Sequence, residues 1–233
     1  MNIVDMGVLF IIAISMIIGA YNGFVLSACH AASFFLSWVI AVIFYPLWTK
    51  LMLGLFPKLF STLAFYVDGS SMITNVEDRV KDMKSLSPNE LSGILNKLDL
   101  PNPFRRILTS ETFQAASGAK TLGEYFNSSM AAIILNIISI LLVFLLAKLI
   151  FTIVLDIRKA VRDLPVLKRH DSLAGMGLGL VRGLFIINLL FAFVPILMTM
   201  APAAVIHRFM DGSLLADFFY RTNIFTSFVR GSI

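Results

Sequence analysis

Four long apolar blocks dominate this chain and restrict the folds open to it. They cover approximately residues 3–18 (extending toward 24), 27–48, 131–155 and 174–200. Each approaches or exceeds the run of about 20 apolar residues that a helix needs to cross a hydrocarbon core of about 30 Å. Hydrophobic residues make up 58% of the sequence and charged residues 14%, whereas soluble domains carry about 25% charged residues. The sequence therefore predicts an all-α, polytopic membrane protein with four transmembrane helices.

The predicted spans divide the chain into four parts. These are an N-terminal transmembrane hairpin (1–48), an interfacial segment with a small extracytoplasmic helical cap (49–129), a C-terminal transmembrane pair (130–200) and an amphipathic tail (201–233). Gly23 can supply the tight turn of the hairpin, because glycine adopts backbone conformations that other residues avoid.

The cap contains two helix-start patterns. Ser87, Pro88 and Glu90 form a capping box with proline at the first helical position, and the helix is predicted to run to about Leu98. Residues 121–124 form a second capping box that leads into the third span. We therefore expect a folded cap.

The connection 156–172 predicts the orientation of the chain. It carries Arg158, Lys159, Arg162, Lys168 and Arg169. Because cytoplasmic loops are enriched in lysine and arginine, we expect this connection in the cytoplasm, and both termini and segment 49–129 on the other side. The net charge of +5 is interpreted as anchoring at the lipid bilayer, and no nucleic-acid partner is predicted.

Patterns typical of enzymes and metal sites are missing. The sequence has no HExxH, Walker-type phosphate loop or CxxC pair, and His30, His170 and His207 lack metal-like spacing. Cys29 is the sole cysteine, so an internal disulfide is impossible. We predict that the protein is not an enzyme and has no cofactor and no metal.

A glycine stripe lies in the fourth span. Gly175, Gly179 and Gly183 recur every four residues and line one face of a helix. Small residues let transmembrane helices approach closely, so we expect the stripe to pack against another helix or to join subunits of an oligomer. Asn136 and Asn188, in mid-span, are interpreted as interhelical contacts.

Four polar side chains are expected in the cytoplasmic half of the spans: Asn22, His30, Lys148 and Arg182. Ionisable groups inside a membrane face protein or water, so they predict a cationic pocket that attracts an anionic substrate or a lipid headgroup. Alternatively, Lys148 extends to the interface and His30 makes one interhelical hydrogen bond. Asp156 and Asp171 are the available counter-charges.

Two segments of the chain resemble the colicin V production protein family (CvpA). Members carry an N-terminal G-x-x-R-G-F hairpin, matched here by Gly19, Gly23 and Phe24, with Asn22 where a basic residue is usual. They also carry D-R-x-x-G-x-x-x-G-x-x-R-G, matched here by Asp171, Gly175, Gly179, Arg182 and Gly183, with Ser172 in place of arginine. The resemblance implies a bacterial inner or plasma membrane protein linked to bacteriocin production, export and envelope stress. It implies no known reaction.

Two functional hypotheses follow. In the first, the protein is a component of bacteriocin or solute export or of envelope homeostasis, and it works as a homo-oligomer or with a membrane or envelope protein partner. In the second, it is a non-transporting scaffold that binds an envelope protein or lipid through its cap and tail.

Overall fold

The computed structural model describes residues 2–67, 70, 73, 75–83, 85–98, 107–108, 118–154, 171–200, 210 and 212–229. Over these residues the regular elements are helices, with one isolated β-bridge between Asp82 and Thr121. Among these residues, three helical stretches are long and apolar enough to cross a membrane: Ile3–Leu55, Leu122–Ile153 and Asp171–Met198, the last of which contains a short turn. Within the described residues, the prediction of an all-helical membrane protein is confirmed.

Eight α-helices and one 3₁₀ turn are described. They are α1 (Ile3–Leu55), α2 (Leu59–Tyr66), α3 (Val76–Arg79), α4 (Pro88–Lys97), α5 (Leu122–Val154), α6 (Asp171–Phe191), α7 (Val194–Met200), α8 (Leu214–Arg221) and the 3₁₀ turn Thr226–Phe228. The helix α5 begins well before residue 131, the expected start of the third span, because Thr121 Oγ1 accepts from the Glu124 N–H at 3.3 Å and starts the helix there.

Gly23 divides α1 into a first arm (3–22) and a second arm (24–55). Its backbone has φ 75° and ψ 177°, a left-handed conformation open mainly to glycine. The Ser27 hydroxyl donates to the Gly19 carbonyl at 3.1 Å, whereas residues eight apart in a continuous helix are separated by about 12 Å. The chain therefore turns back at Gly23, where the sequence predicts the turn.

The helices pack around α5 and along α1. Of the most apolar stretch of each candidate span, 78% is buried in α5, against 22% in α1 and 33% in the span formed by α6 and α7. Both α5 and α6 pack along α1, and they come together less closely with one another. We call the end with Gly23 and the start of α6 the bend end. The opposite end, with Asp5 and α8, is the tail end.

The cap has a core of its own that continues into α5. Ser87 and Glu90 form the expected capping box, and α4 ends at Lys97, one residue before the predicted end. The Ser87 N–H and hydroxyl donate to the Glu90 carboxylate and lower its pKa. Leu91 and Leu95 are buried in one cluster with residues of α5 such as Tyr125. Within segment 49–129 the described helices are the end of α1, α2, α3, α4 and the start of α5, and a folded extracytoplasmic cap stays a prediction.

The fourth predicted span is interrupted rather than continuous. The helix α6 ends at Phe191, and α7 begins at Val194 after a short turn. Pro195 has no N–H to donate to the Phe191 carbonyl, so the regular hydrogen-bond ladder cannot continue through it.

The tail only partly fits the expectation of an amphipathic segment on the surface. In α8, Ala216 and Phe219 are buried while Phe218 is exposed. Residues 223–229 instead enter the helix bundle, where Phe225 and Val229 are both 0% exposed. Apolar spacing alone cannot distinguish insertion between helices from adsorption to a surface.

Candidate functional site

The glycines of the two family-like segments form one contact between the first arm and α6. A Cβ atom on Gly19 would overlap the Gly175 carbonyl oxygen, and a Cβ atom on Gly179 would overlap the Ser15 carbonyl oxygen. At Gly183 the added atom would meet the Ser15 side chain at 3.0 Å. The two backbones are therefore in direct contact, which only residues without side chains permit.

This contact occupies the face that the sequence offers for oligomer formation. Gly175, Gly179 and Gly183 are buried by the chain's own first arm. The expected use of the stripe to join subunits is therefore wrong, because the face is filled within one chain. Oligomer formation through another surface stays a prediction.

Asp171 fastens the bend to α6. Its carboxylate accepts from the Phe24 N–H at 2.6 Å, at the start of the second arm, where a helix favours a negative charge. A Cβ atom on Gly23 would overlap this carboxylate. Asp171 and Arg182 are eleven residues apart on one helix, or about 16 Å. Asp171 is therefore not the counter-charge of Arg182.

Lys148 points into the bundle and contacts the second arm. Its ammonium donates to the Ser33 hydroxyl, which in turn donates to the His30 carbonyl at 2.8 Å. The ammonium also lies 4.3 Å from the centroid of the Phe34 ring, a cation–π contact. This geometry disagrees with the interpretation that Lys148 extends to the membrane interface, and it ties the residue to the second arm.

Arg182 supplies a second positive charge beside Lys148. The Phe34 ring that contacts the Lys148 ammonium also lies 6.3 Å from the ring of Phe185, three residues after Arg182 on the same helix face. The Arg182 Nε atom is buried without a hydrogen-bond partner. Among the described residues, the ion pairs are Lys81–Asp78 in the cap and Arg221–Asp217 in α8. Neither cation therefore has a carboxylate partner in the described part of the chain. Asp156 lies outside the described residues, as do the five basic residues of connection 156–172.

The two cations lie well inside the membrane helices. Arg182 is seven residues beyond Gly175, which meets Gly23 at the bend, so it lies about 10 Å along α6 from that level. Ser33, the partner of Lys148, is ten residues beyond Gly23, or about 15 Å along the second arm. We call the site lined by Ser33, Phe34, Lys148 and Arg182 the cationic groove.

The groove gathers some of the predicted residues and adds others. Lys148 contacts Ser33 and Phe34 there, Arg182 lies about one turn before Phe185, a neighbour of Phe34, and His30 takes part through its backbone carbonyl. Asn22 stays beside Gly23 at the bend, and the described contacts do not join it to the other three. Ser33 and Phe34 were not predicted. The only signal for Ser33 was a small polar residue three positions after His30, on the same helix face.

Phenylalanine rings close the groove toward the tail end. The Phe34 ring lies 6.0 Å from Phe144, and Phe144 lies edge-on to Phe225 at 5.0 Å. Phe225 belongs to the inserted tail segment, which the second arm and α6 hold by hydrogen bonds. Trp38 donates to the Ile224 carbonyl and Tyr45 to the Phe228 carbonyl, while the Asn188 side chain accepts from the Ile224 N–H.

The mid-span asparagines lie at interhelical contacts, as expected. The Thr49 hydroxyl donates to Asn136 Oδ1 at 3.0 Å, which links the second arm to α5. The Asn188 carbonyl accepts from the Asn223 side chain at 2.6 Å, which links α6 to the tail. No group of three or more His, Cys, Asp or Glu side chains among the described residues could hold a metal ion.

Residues 112–223 match the family model described as Colicin V production protein. The match includes Lys148 and the segment from Asp171 to Gly183, and the N-terminal hairpin lies outside it. No curated protein and no solved structure matches the chain. The match confirms the resemblance inferred from the sequence over residues 112–223, and the long apolar helices support a multi-pass membrane protein.

Proposed function

We propose that the chain crosses the bacterial inner membrane four times, with the bend end in the cytoplasm. The crossings are the first arm, the second arm, α5 and α6 with α7. The connection 156–172 joins the end of α5 to the start of α6, which contacts the bend through Asp171. Its five basic residues favour the cytoplasm. The termini, the cap and the tail then lie on the outer side.

We further propose that the protein guides an anionic solute across this membrane, as a component of export or envelope homeostasis. The observation that supports this role is the pair Lys148 and Arg182, two positive charges about 10–15 Å from the bend with no carboxylate partner among the described residues. Charges inside hydrocarbon are costly and typically mark substrate or ion pathways. The proposed role requires no covalent chemistry.

Flux through reconstituted protein tests this role. Purified protein in liposomes is assayed with two probes, radiolabelled inorganic phosphate and a short-chain fluorescent phosphatidic acid whose crossing between leaflets is followed. We expect flux of at least one probe, with at least a tenfold loss in Arg182→Gln, since a hydrogen bond to a charged group contributes about 1.5–3 kcal/mol.

Two variants control for the position and sign of the charge. Arg182→Lys keeps the charge and is expected to retain part of the flux. Lys50→Gln removes an exposed cation from the same bundle, away from the groove, and is expected to leave flux unchanged. Equal flux of both probes in wild type, Arg182→Gln and protein-free liposomes would contradict the role.

A second candidate function is a scaffold at the membrane surface. It is favoured by Phe65 and Tyr66 on α2, which are 82% and 76% exposed, because aromatic side chains are typical of the interface between lipid and water. This candidate predicts no flux of either probe, together with a photo-crosslink in cells from position 65 to a single envelope protein. Crosslinks to lipid alone would contradict it.

A further inference from the structure

The two cations lie at the border between packed and lipid-facing surfaces. Lys148 and Arg182 are each partly exposed. Beside Lys148 on α5, Leu145 and Leu149 are 50% and 56% exposed, and Val181 beside Arg182 is 40% exposed. Apolar side chains so exposed on membrane helices face the lipid, so the cationic groove is bordered by surface that hydrocarbon chains contact.

The geometry of the groove restricts the routes to it. Its floor is the second arm with Ser33 and Phe34. Toward the tail end it is closed by the rings of Phe144 and Phe225, which are 1% and 0% exposed. Its two walls, α5 and α6, pack along α1 more closely than along each other. Among the described residues, the routes that stay open to a ligand are the bend end and the side that faces the lipid.

The cationic groove favours binding of an anion that carries an apolar part over binding of a free anion. A free anion must give up its hydration inside hydrocarbon, which is costly, and it leaves Leu145 and Leu149 without new contacts. The headgroup of a lipid can pair with the cations while its chains stay against these side chains. Arginine binds phosphate oxygens through its planar fork of N–H groups, and basic pockets between membrane helices bind lipid headgroups.

We propose that the cationic groove binds the phosphate headgroup of an anionic lipid, with Arg182 and Lys148 as its ligands and Leu145 and Leu149 against its chains. This inference rests on the proposed function, because it names the class of solute for the same site. Two of the groups that line the site, Ser33 and Phe34, orient the Lys148 ammonium and do not contact the lipid phosphate.

The test measures binding rather than transport. Full-length protein in nanodiscs of phosphatidylcholine receives a photoactivatable phosphatidic acid, and the labelled peptides are identified after irradiation. We expect labels on residues 145–152 of α5 and at or beside Val181, with labelling about tenfold weaker in Arg182→Gln and in Lys148→Gln. Arg182→Lys is expected to restore part of the labelling, and Lys50→Gln to match the wild type. Each variant is compared at equal elution from a size-exclusion column.

Competition separates a lipid from a free anion. Unlabelled phosphatidic acid is expected to displace the probe, and inorganic phosphate at the same concentration is not. Displacement by inorganic phosphate as effective as that by the lipid would overturn the proposal, and so would labelling of the groove that both variants leave unchanged. Labelling as expected without flux leaves this site standing while the transport role fails. Flux of inorganic phosphate without labelling would support the transport role and contradict the lipid site.

Discussion

The polar groups at the two ends of the bundle differ in the partners that they have within the chain. At the tail end, Asp5 accepts from the Ser213 hydroxyl at 2.6 Å and from the Leu215 N–H at 3.1 Å, and Asn188 holds the inserted segment. Nearer the bend, Lys148 and Arg182 have no carboxylate partner among the described residues. Polar groups that are satisfied within the chain stabilise it, whereas unbalanced charges are kept at a cost that a ligand can offset. The contacts at the tail end therefore stabilise the fold, whereas the charges of the groove agree with the ligand site that we propose.

Disruption of the glycine contact is expected to give the largest loss of stability. The contact holds α6 against the first arm, and α6 carries both Arg182 of the groove and Asn188 of the tail end. Gly179→Leu forces a side chain into the Ser15 backbone and should prevent α6 from docking, at a cost above the about 1–3 kcal/mol typical of overpacking. Thermal unfolding in detergent is monitored by the reaction of a thiol-reactive dye with Cys29, the only cysteine. Gly177→Leu on the same helix is the matched control, since a Cβ atom there meets nothing within 4 Å. An equal fall in the unfolding temperature of the two variants would contradict the assigned contact between α6 and the first arm.

An intermediate effect is expected at the tail end from Asn188→Ala. This change leaves the partly buried Ile224 N–H without its acceptor, at a cost of up to about 1–3 kcal/mol. Hydrogen exchange should accelerate in residues 223–229, and the unfolding temperature should fall. Thr222→Ala removes an exposed hydroxyl that donates to the Phe218 carbonyl and serves as the control. Unchanged exchange in Asn188→Ala would mean that the tail is held by its rings alone.

The smallest effect, and of opposite sign, is expected from Lys148→Met. The change removes a charge from the membrane interior, and the Ser33 hydroxyl keeps its bond to the His30 carbonyl. The free energy of unfolding should stay the same or rise by about 1 kcal/mol or less. Replacing a poorly compensated buried charge with an apolar group often has this result. The same thermal assay measures it. A fall as large as that of Asn188→Ala would indicate that a carboxylate pairs with Lys148, and the contrast between the two ends would disappear.

Local signals predicted the fold well where the physical cause was local. The turn at Gly23 follows from glycine's backbone freedom, and the start of α4 follows from the reciprocal hydrogen bonds of Ser87 and Glu90. The groove depends on pairs far apart in the chain, such as Ser33 with Lys148. The insertion of Phe225 depends on a space between the second arm, α5 and α6. Neither leaves a periodic pattern in the sequence, so only the packed structure reveals them.

The contact between the first arm and α6 also determines how the protein must be made. The first arm is synthesised at the start of translation, whereas the glycines it meets lie about 160 residues later in the chain. Until α6 emerges, the bare backbone at Gly19 faces lipid or the insertion machinery. A nascent chain that stops before residue 171 therefore exposes an unfilled helix face.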